Sequence, residues 1–396
     1  LRMTREPSPC HLFVFILPKM WYNIKKRKGF CIMTPEILLE NSPISREPGD
    51  FPTLAYYGWP SVTVDENGVT YVVCSKRLRH IDPYGKVMLY KSFDQGASWS
   101  EGLCLIDTVL DDRDAGILYL GGRHFVVTTF SHTASLYLEN ANASWTKWQQ
   151  DVGADEAERR RSLWAGCSDA DLTGRSSYII TNDYFATWGA QRMIPITAPH
   201  GPMLLAGGEL LYVGVPFHAE FAGGKALSPG VYCFISRDCG ESWQQHSEIS
   251  VDARFGACEA HGVQLRDGSI VVSLRTADFH TLTCRSLDGG LTWTAPQDLT
   301  YGAPAHLLQL ADDSVLITYS KRADVTGQCA RRSTDGGVSW SEEFYISRPN
   351  SETDFDLGYP ATAQYADGSL ITVYYQKFGS DRKPSLMRTV WRGIFE

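Results

Sequence analysis

Short apolar runs recur along the chain in pairs, each pair folded about a turn. Six pairs can be read: GWPSVTVDENGVTYVVCS (58–75), DAGILYLGGRHFVVTTFS (114–131), HGPMLLAGGELLYVGVPF (200–217), CEAHGVQLRDGSIVVSLR (258–275), PAHLLQLADDSVLITYS (304–320) and GYPATAQYADGSLITVYY (358–375). Brief apolar segments bounded by turn residues predict β-hairpins rather than helices. Every pair except the last is followed by an eight-residue box, Ser-x-Asp-x-Gly-x-x-Trp, or by a remnant of it. The clear copies are SFDQGASW (92–99), SRDCGESW (236–243), SLDGGLTW (286–293) and STDGGVSW (333–340). TNDYFATW (181–188) keeps the Asp and Trp and loses the Gly.

The box is turn chemistry. Its Asp can accept hydrogen bonds from nearby backbone N–H groups, its Gly permits a positive φ, and its Trp packs on the hairpin it closes. Each box therefore predicts a peripheral link between two antiparallel strands. Ser236 to Ser286 spans 50 residues and Ser286 to Ser333 spans 47, a period that suits a four-stranded propeller blade. The expected fold is all-β, a six-bladed β-propeller over residues 35–396. A strand from about 35–55 would complete the last blade and remove its open edge. Residues 132–175, rich in charge and Trp, interrupt the second blade as a short helix, a lid or a solvated excursion. The RRR run at 159–161 reads as a solvated face.

Composition narrows the partners. The 396 residues carry 12% aromatics, 35 Gly and 19 Pro, with a net charge of −8, which suits many short strands and gives no reason to expect nucleic acid or an anionic membrane. No run of about 18 apolar residues is present to predict a spanning helix. HLFVFILP (11–18) precedes the basic KKRK (25–28), the wrong order for a secretory signal. Residues 1–34 are expected to be a disordered or non-native extension, and the location cytoplasmic. The ten cysteines fall singly, without CxxC or metal-like pairing with histidine, as reduced packing residues would. No metal or other cofactor is expected.

The repeats allow equivalent positions to be compared. Nine residues before the turn glycine stand Trp59, Glu259 and Tyr359. Arg113 and Asp114, His200 and His306 fall at neighbouring positions of the other three pairs. After the second strands come Arg77 and Arg79, His218, Arg275, Lys321 and Arg322, and Lys377. First strands line a propeller's channel, so these residues predict a polar pocket at one mouth. Converging arginines suit a carboxylate ligand, because each guanidinium offers a planar fork of donors. Histidines 80, 200, 218, 261 and 306 read as pocket lining or packing.

Asp boxes, six blades and the stretches CEAHGVQLRDGSIVVSLRT and DLGYPATAQYADGSLITVYY together resemble the sialidase superfamily, from about residue 50 to the C-terminus. The resemblance implies an exo-acting retaining glycosidase that uses a Tyr nucleophile, without a cofactor, on sialylated or other acidic-sugar glycans. It implies Tyr359 as nucleophile, Glu259 as its base, and Asp114, or else Asp112, as acid/base. Arg275, Arg322 and one of Arg77 or Arg79 would bind the carboxylate, with Arg113, Trp59, His200 and His306 as further substrate-binding positions. The family's first arginine, in a Phe/Tyr-Arg-Ile-Pro motif, is replaced here by Trp59 in YYGWPS. Two other readings stay open. One is a non-catalytic glycan- or protein-binding propeller. The other is an inverting glycosidase using two carboxylates such as Asp114 and Glu259.

Overall fold

The computed structural model describes residues 35–47, 56–139, 143–216, 227–349 and 354–393. The expected extension at 1–34 and His218 lie outside these residues. The chain folds as antiparallel sheet, apart from one helical insertion and a short 3-10 turn.

Four sheets have four strands each, and a fifth has eight. The eight-stranded sheet consists of two antiparallel four-stranded units, Tyr56–Val64 through Leu103–Ile106 and Asp111–Gly121 through Arg192–Met193. A single parallel bridge, Gly85 to Asp111, joins them. The last sheet takes Glu36–Ser45 as its fourth strand, antiparallel to Ser385–Arg392. The N-terminal strand thus completes the C-terminal sheet, with its own outer face turned to solvent at Ile37 and Leu38.

Sheets meet through their first strands. Tyr56–Val64 lies against both Asp111–Gly121 and Gly358–Gln364, and Ala305–Gln309 lies against both Gly358–Gln364 and Cys258–Gln264. The apolar side chains between sheets form successive clusters, such as Tyr71, Val73, Val87, Phe125 and Val127 between the first two units.

The boxes join third to fourth strands, as the turn chemistry predicts. In each clear copy the Ser hydroxyl accepts from the Gly N–H at 2.8 Å, and the Asp accepts from a backbone N–H four residues on at 2.8–2.9 Å. The remnant works the same way. Asp183 accepts from Thr187 N at 2.9 Å, while buried Phe185 takes the glycine's place at φ +66°. Hydrogen bonding holds Asp183, Asp288 and Asp335 ionised; in Asp335 it overcomes an opposing burial effect.

Residues 132–175 are not a solvated excursion. They form four helices: α1 (Ala134–Glu139), α2 (Ala143–Val152), α3 (Ala154–Ala165) and α4 (Asp169–Leu172). Tyr137, Trp148, Ala157 and Trp164 pack with Leu78 and Leu110 in a separate apolar cluster, and Trp164 Nε1 donates to Val109 O at 2.7 Å. The RRR run divides accordingly. Arg159 is exposed beside Glu156, whereas Arg160 is buried over the Tyr84 ring at 4.4 Å. At Arg160 the expected solvated face is corrected, because it shares the buried face of α3 with Ala157 and Trp164 and is carried down onto Tyr84.

Candidate active site

Four first strands carry the same distortion. Register shifts fall between Gly58 and Ser61, Arg113 and Gly116, Cys258 and His261, and Gly358 and Ala361. The residue inside each bulge has a positive φ: Trp59 at +52°, Asp114 at +34°, Glu259 at +45° and Tyr359 at +55°. Left-handed backbone is costly for such residues, on the order of 1–3 kcal/mol each, and bulges re-aim side chains beside active sites. Here all four bulge residues line one pocket, with about 810 Å³ of empty space including its open mouth. Close packing fixes one bulge further. A Cβ on Gly116 would meet the Gly201 backbone N at 2.4 Å.

Glu259 and Tyr359 are joined directly. The Tyr359 hydroxyl donates to Glu259 Oε1 at 2.8 Å, and Arg275 Nη1 donates to the same oxygen at 2.5 Å. Burial first, then the charges of Glu259 and Asp114, push Tyr359 well above an ordinary phenol despite Arg275 and Arg322. The phenol is therefore protonated at neutral pH, with its proton directed at a carboxylate.

Asp114 is buried at the pocket wall, 4.0 Å from Arg113 Nε. Burial raises it to about 7, with Arg113 opposing and Glu259 assisting. Asp112 is fully buried away from the pocket, where Oδ2 accepts from Thr108 N at 2.7 Å and Oδ1 from Ser131 Oγ at 2.9 Å. Of the two carboxyls weighed for acid/base duty, Asp114 is the one that meets the cavity.

Three guanidiniums line the pocket: Arg113, Arg275 and Arg322. Arg322 is aimed by Leu357 O at 2.8 Å and the Tyr375 hydroxyl at 2.9 Å. Arg113 lies over the Trp59 ring at 4.1 Å and pairs with Asp111 at 3.2 Å. Neither Arg77 nor Arg79 is among the lining residues. Arg77 is fully buried, paired with Asp111 and 4.7 Å from the Trp59 ring on its way to the core. Buried Asp111, which sequence reasoning missed, also accepts from the Tyr137 hydroxyl of α1. One carboxylate is thus shared by two guanidiniums beside the cavity.

His200 and His306 do not line the pocket either. They are buried with His261 in a trio of imidazoles, His261 stacked on His306 at 4.2 Å and His200 edge-on to both. Lys321 and Lys377 pair with Glu343 and Asp354 instead of reaching the cavity. Among the described residues no group of three or more His, Cys, Asp or Glu could hold a metal ion, and no disulfide forms.

A family model described as a BNR repeat-like domain matches residues 165–372, just over half of the chain. No curated protein matches the sequence. Among solved structures, one of a Dyadobacter fermentans protein of unknown function is 19% identical, with a TM-score of 0.70 over 91% of this chain and 99% of that one. The K499G mutant of NanB sialidase from Streptococcus pneumoniae is 13% identical at TM-score 0.63, over 91% and 71% of the two chains. The intramolecular trans-sialidase from Ruminococcus gnavus, in complex with oseltamivir carboxylate, is 14% identical at TM-score 0.61, over 87% and 96%. At these identities the likeness shows the fold alone. Repeat match and shared fold together place the chain in the sialidase superfamily of BNR-repeat proteins.

Proposed function

We propose that the protein is an exo-α-sialidase-like glycoside hydrolase, removing a terminal sialic acid or related acidic sugar with retention at the anomeric carbon. The six four-stranded units would form the blades of one ring, closed by Glu36–Ser45. The observation that carries the reading is the Tyr359–Glu259 hydrogen bond, set in one pocket with Asp114 and three guanidiniums.

In this reading Arg113, Arg275 and Arg322 grip the sugar's carboxylate through charge-assisted hydrogen bonds. A carboxylate at the anomeric carbon would repel a carboxylate nucleophile, and a neutral Tyr avoids that. Asp114 passes its proton to the leaving oxygen as the glycosidic bond breaks. The Tyr359 oxygen bonds to the anomeric carbon while its own proton moves to Glu259. Water, deprotonated by Asp114, then displaces Tyr359, which recovers its proton from Glu259. No step calls for a cofactor. Trp59 stands where the family carries an arginine, and Arg113 from the neighbouring bulge supplies the third guanidinium.

The test is hydrolysis of a fluorogenic sialoside by the purified protein beside Tyr359→Phe. Release of the fluorophore by wild type and its loss in the variant is the expected result. Wild-type inactivity on sialosides and related nonulosonides would sink the enzyme reading. Equal activity in the variant would sink only the nucleophile assignment.

A further inference from the structure

His80 lines the pocket next to Trp59 and Arg113 and has no part in the chemistry above. It follows the strand Thr70–Arg77, and its carbonyl oxygen accepts from Arg77 Nη1 and Arg113 Nη1, each at 3.3 Å. Its ring stands edge-on to Trp59 at 5.3 Å and to Tyr56 at 5.9 Å. Backbone and ring are thus both held in place.

The ring's proton can be placed from three distances. His80 Nδ1 is 2.7 Å from the Tyr56 hydroxyl and 3.3 Å from Asp356 Oδ1, and the Tyr56 hydroxyl is 2.7 Å from that same oxygen. Burial pushes Asp356 upward, but hydrogen bonding from His80 and Tyr56 outweighs it and keeps the group a carboxylate. A carboxylate only accepts, so Tyr56 must donate to Asp356. The phenol oxygen is then left to accept, and His80 must supply the hydrogen from Nδ1. Any other arrangement leaves one of the short contacts without a proton. Burial also lowers His80, so the ring is neutral at pH 7 and Nε2 keeps its lone pair. Among the described residues Nε2 has no hydrogen-bond partner.

We propose that His80 is a specificity-determining residue, whose Nε2 accepts a hydrogen bond from one hydroxyl or amide N–H of the bound acidic sugar. The proposal rests on the acidic-sugar reading of the pocket. Guanidiniums offer donors only, so they hold any carboxylate of the right size. A fixed acceptor on the same wall distinguishes a sugar from a simple carboxylic acid, since a site built for a donor discriminates against ligands lacking it.

The experiment is calorimetric titration of the whole protein with sialic acid, with its single-deoxy and N-deacylated analogues, and with a simple carboxylate such as pyruvate. Wild type, His80→Phe and Tyr56→Phe are compared, with thermal melts to confirm folding. In wild type one analogue should bind about 10-fold more weakly than the parent sugar. His80→Phe should lose the same factor on the parent, lose nothing further on that analogue, and leave the simple carboxylate unchanged. Tyr56→Phe keeps the imidazole and leaves Asp356 Oδ1, 3.3 Å from Nδ1, to hold its tautomer, and should give a smaller loss on the same pair of ligands. Unchanged affinity in both variants, or equal losses on every analogue, would overturn the assignment while leaving the acidic-sugar reading intact. Failure of wild type to bind any of the sugars would overturn both.

Discussion

Tyr359 donates its phenolic hydrogen to Glu259 Oε1 across 2.8 Å, although 100 residues separate the two along the chain. They meet because each occupies the bulge of its own first strand. The phenol is un-ionised at neutral pH, so in the proposed reaction its proton would move during the attack rather than before it. Glu259→Gln should therefore lower kcat by roughly 10²–10⁴-fold with a smaller effect on KM. A slow-turnover substrate analogue should add the mass of the glycosyl group to wild type and not to Tyr359→Phe. An adduct of equal yield on the variant would rule out the tyrosine.

Asp114, raised by burial to about 7, is largely protonated below that pH and ionised above it. In the proposed reaction the acid needed for the leaving group is therefore lost as pH rises, and kcat/KM should fall through about pH 7. Asp114→Asn should abolish that limb and lower activity by roughly 10²–10⁴-fold on alkyl glycosides. The loss should be smaller on aryl glycosides whose leaving groups need no proton. A pH–rate profile for each substrate class checks this, and an unchanged basic limb in the variant would exclude Asp114 as its source.

A hydroxyl of the helical insertion reaches the pocket wall. Tyr137 donates to Asp111, which in turn holds Arg113. Without that donor, Asp111 draws more on Arg113, and the guanidinium turns from the cavity. Tyr137→Phe should raise KM for acidic substrates about 3–10-fold at nearly constant kcat. Asp111→Asn, which removes the carboxylate shared by two buried guanidiniums, should instead destabilise the fold by about 3–5 kcal/mol. A matched fall of kcat in Tyr137→Phe, with KM unmoved, would refute the positioning role.

The imidazoles of His200, His261 and His306 are buried and pushed well down by loss of solvation, His261 to about 3. Their folded-state values lie below the unfolded one, so the unfolded chain binds more protons on acidification. The stability associated with their neutral forms is full above about pH 6.5 and drains away as pH falls. Three such groups imply a loss of up to about 4 kcal/mol per pH unit between roughly pH 6 and 4. Urea melts across that range measure the slope, and His200→Met should reduce it by about a third. A flat profile would mean that the trio takes up protons within the fold.

Much of this was legible from turn chemistry. The boxes and hairpins gave the strand order, and counting back from the turn glycine placed Trp59, Glu259 and Tyr359 together because their strands share one bulge. Asp114 falls one step off that count because its hairpin carries a second irregularity between Tyr119 and Gly121. His306 sits at a similar position, but its strand pairs without a register shift, so the side chain stays buried. Arg77 was misplaced for a different reason. A two-residue difference in position says nothing about which arginine Asp111 will draw into the core. The proton arrangement at His80 depends on Asp356, 276 residues distant, and no local pattern encodes it.

The repeated kink also bears on how such a pocket can change. Trp59, Asp114, Glu259 and Tyr359 enter the cavity through the same backbone distortion in four different first strands, so the scaffold behaves as a set of interchangeable sockets. A single codon change at one of them swaps the group presented to the ligand without rebuilding a loop. The resemblance to sialidases, which carry an arginine there, makes the tryptophan at position 59 an exchange of this kind in the proposed reading. If the proposed activity holds, single steps of this kind would change which acidic sugar fits, while the strands that hold the pocket stay as they are.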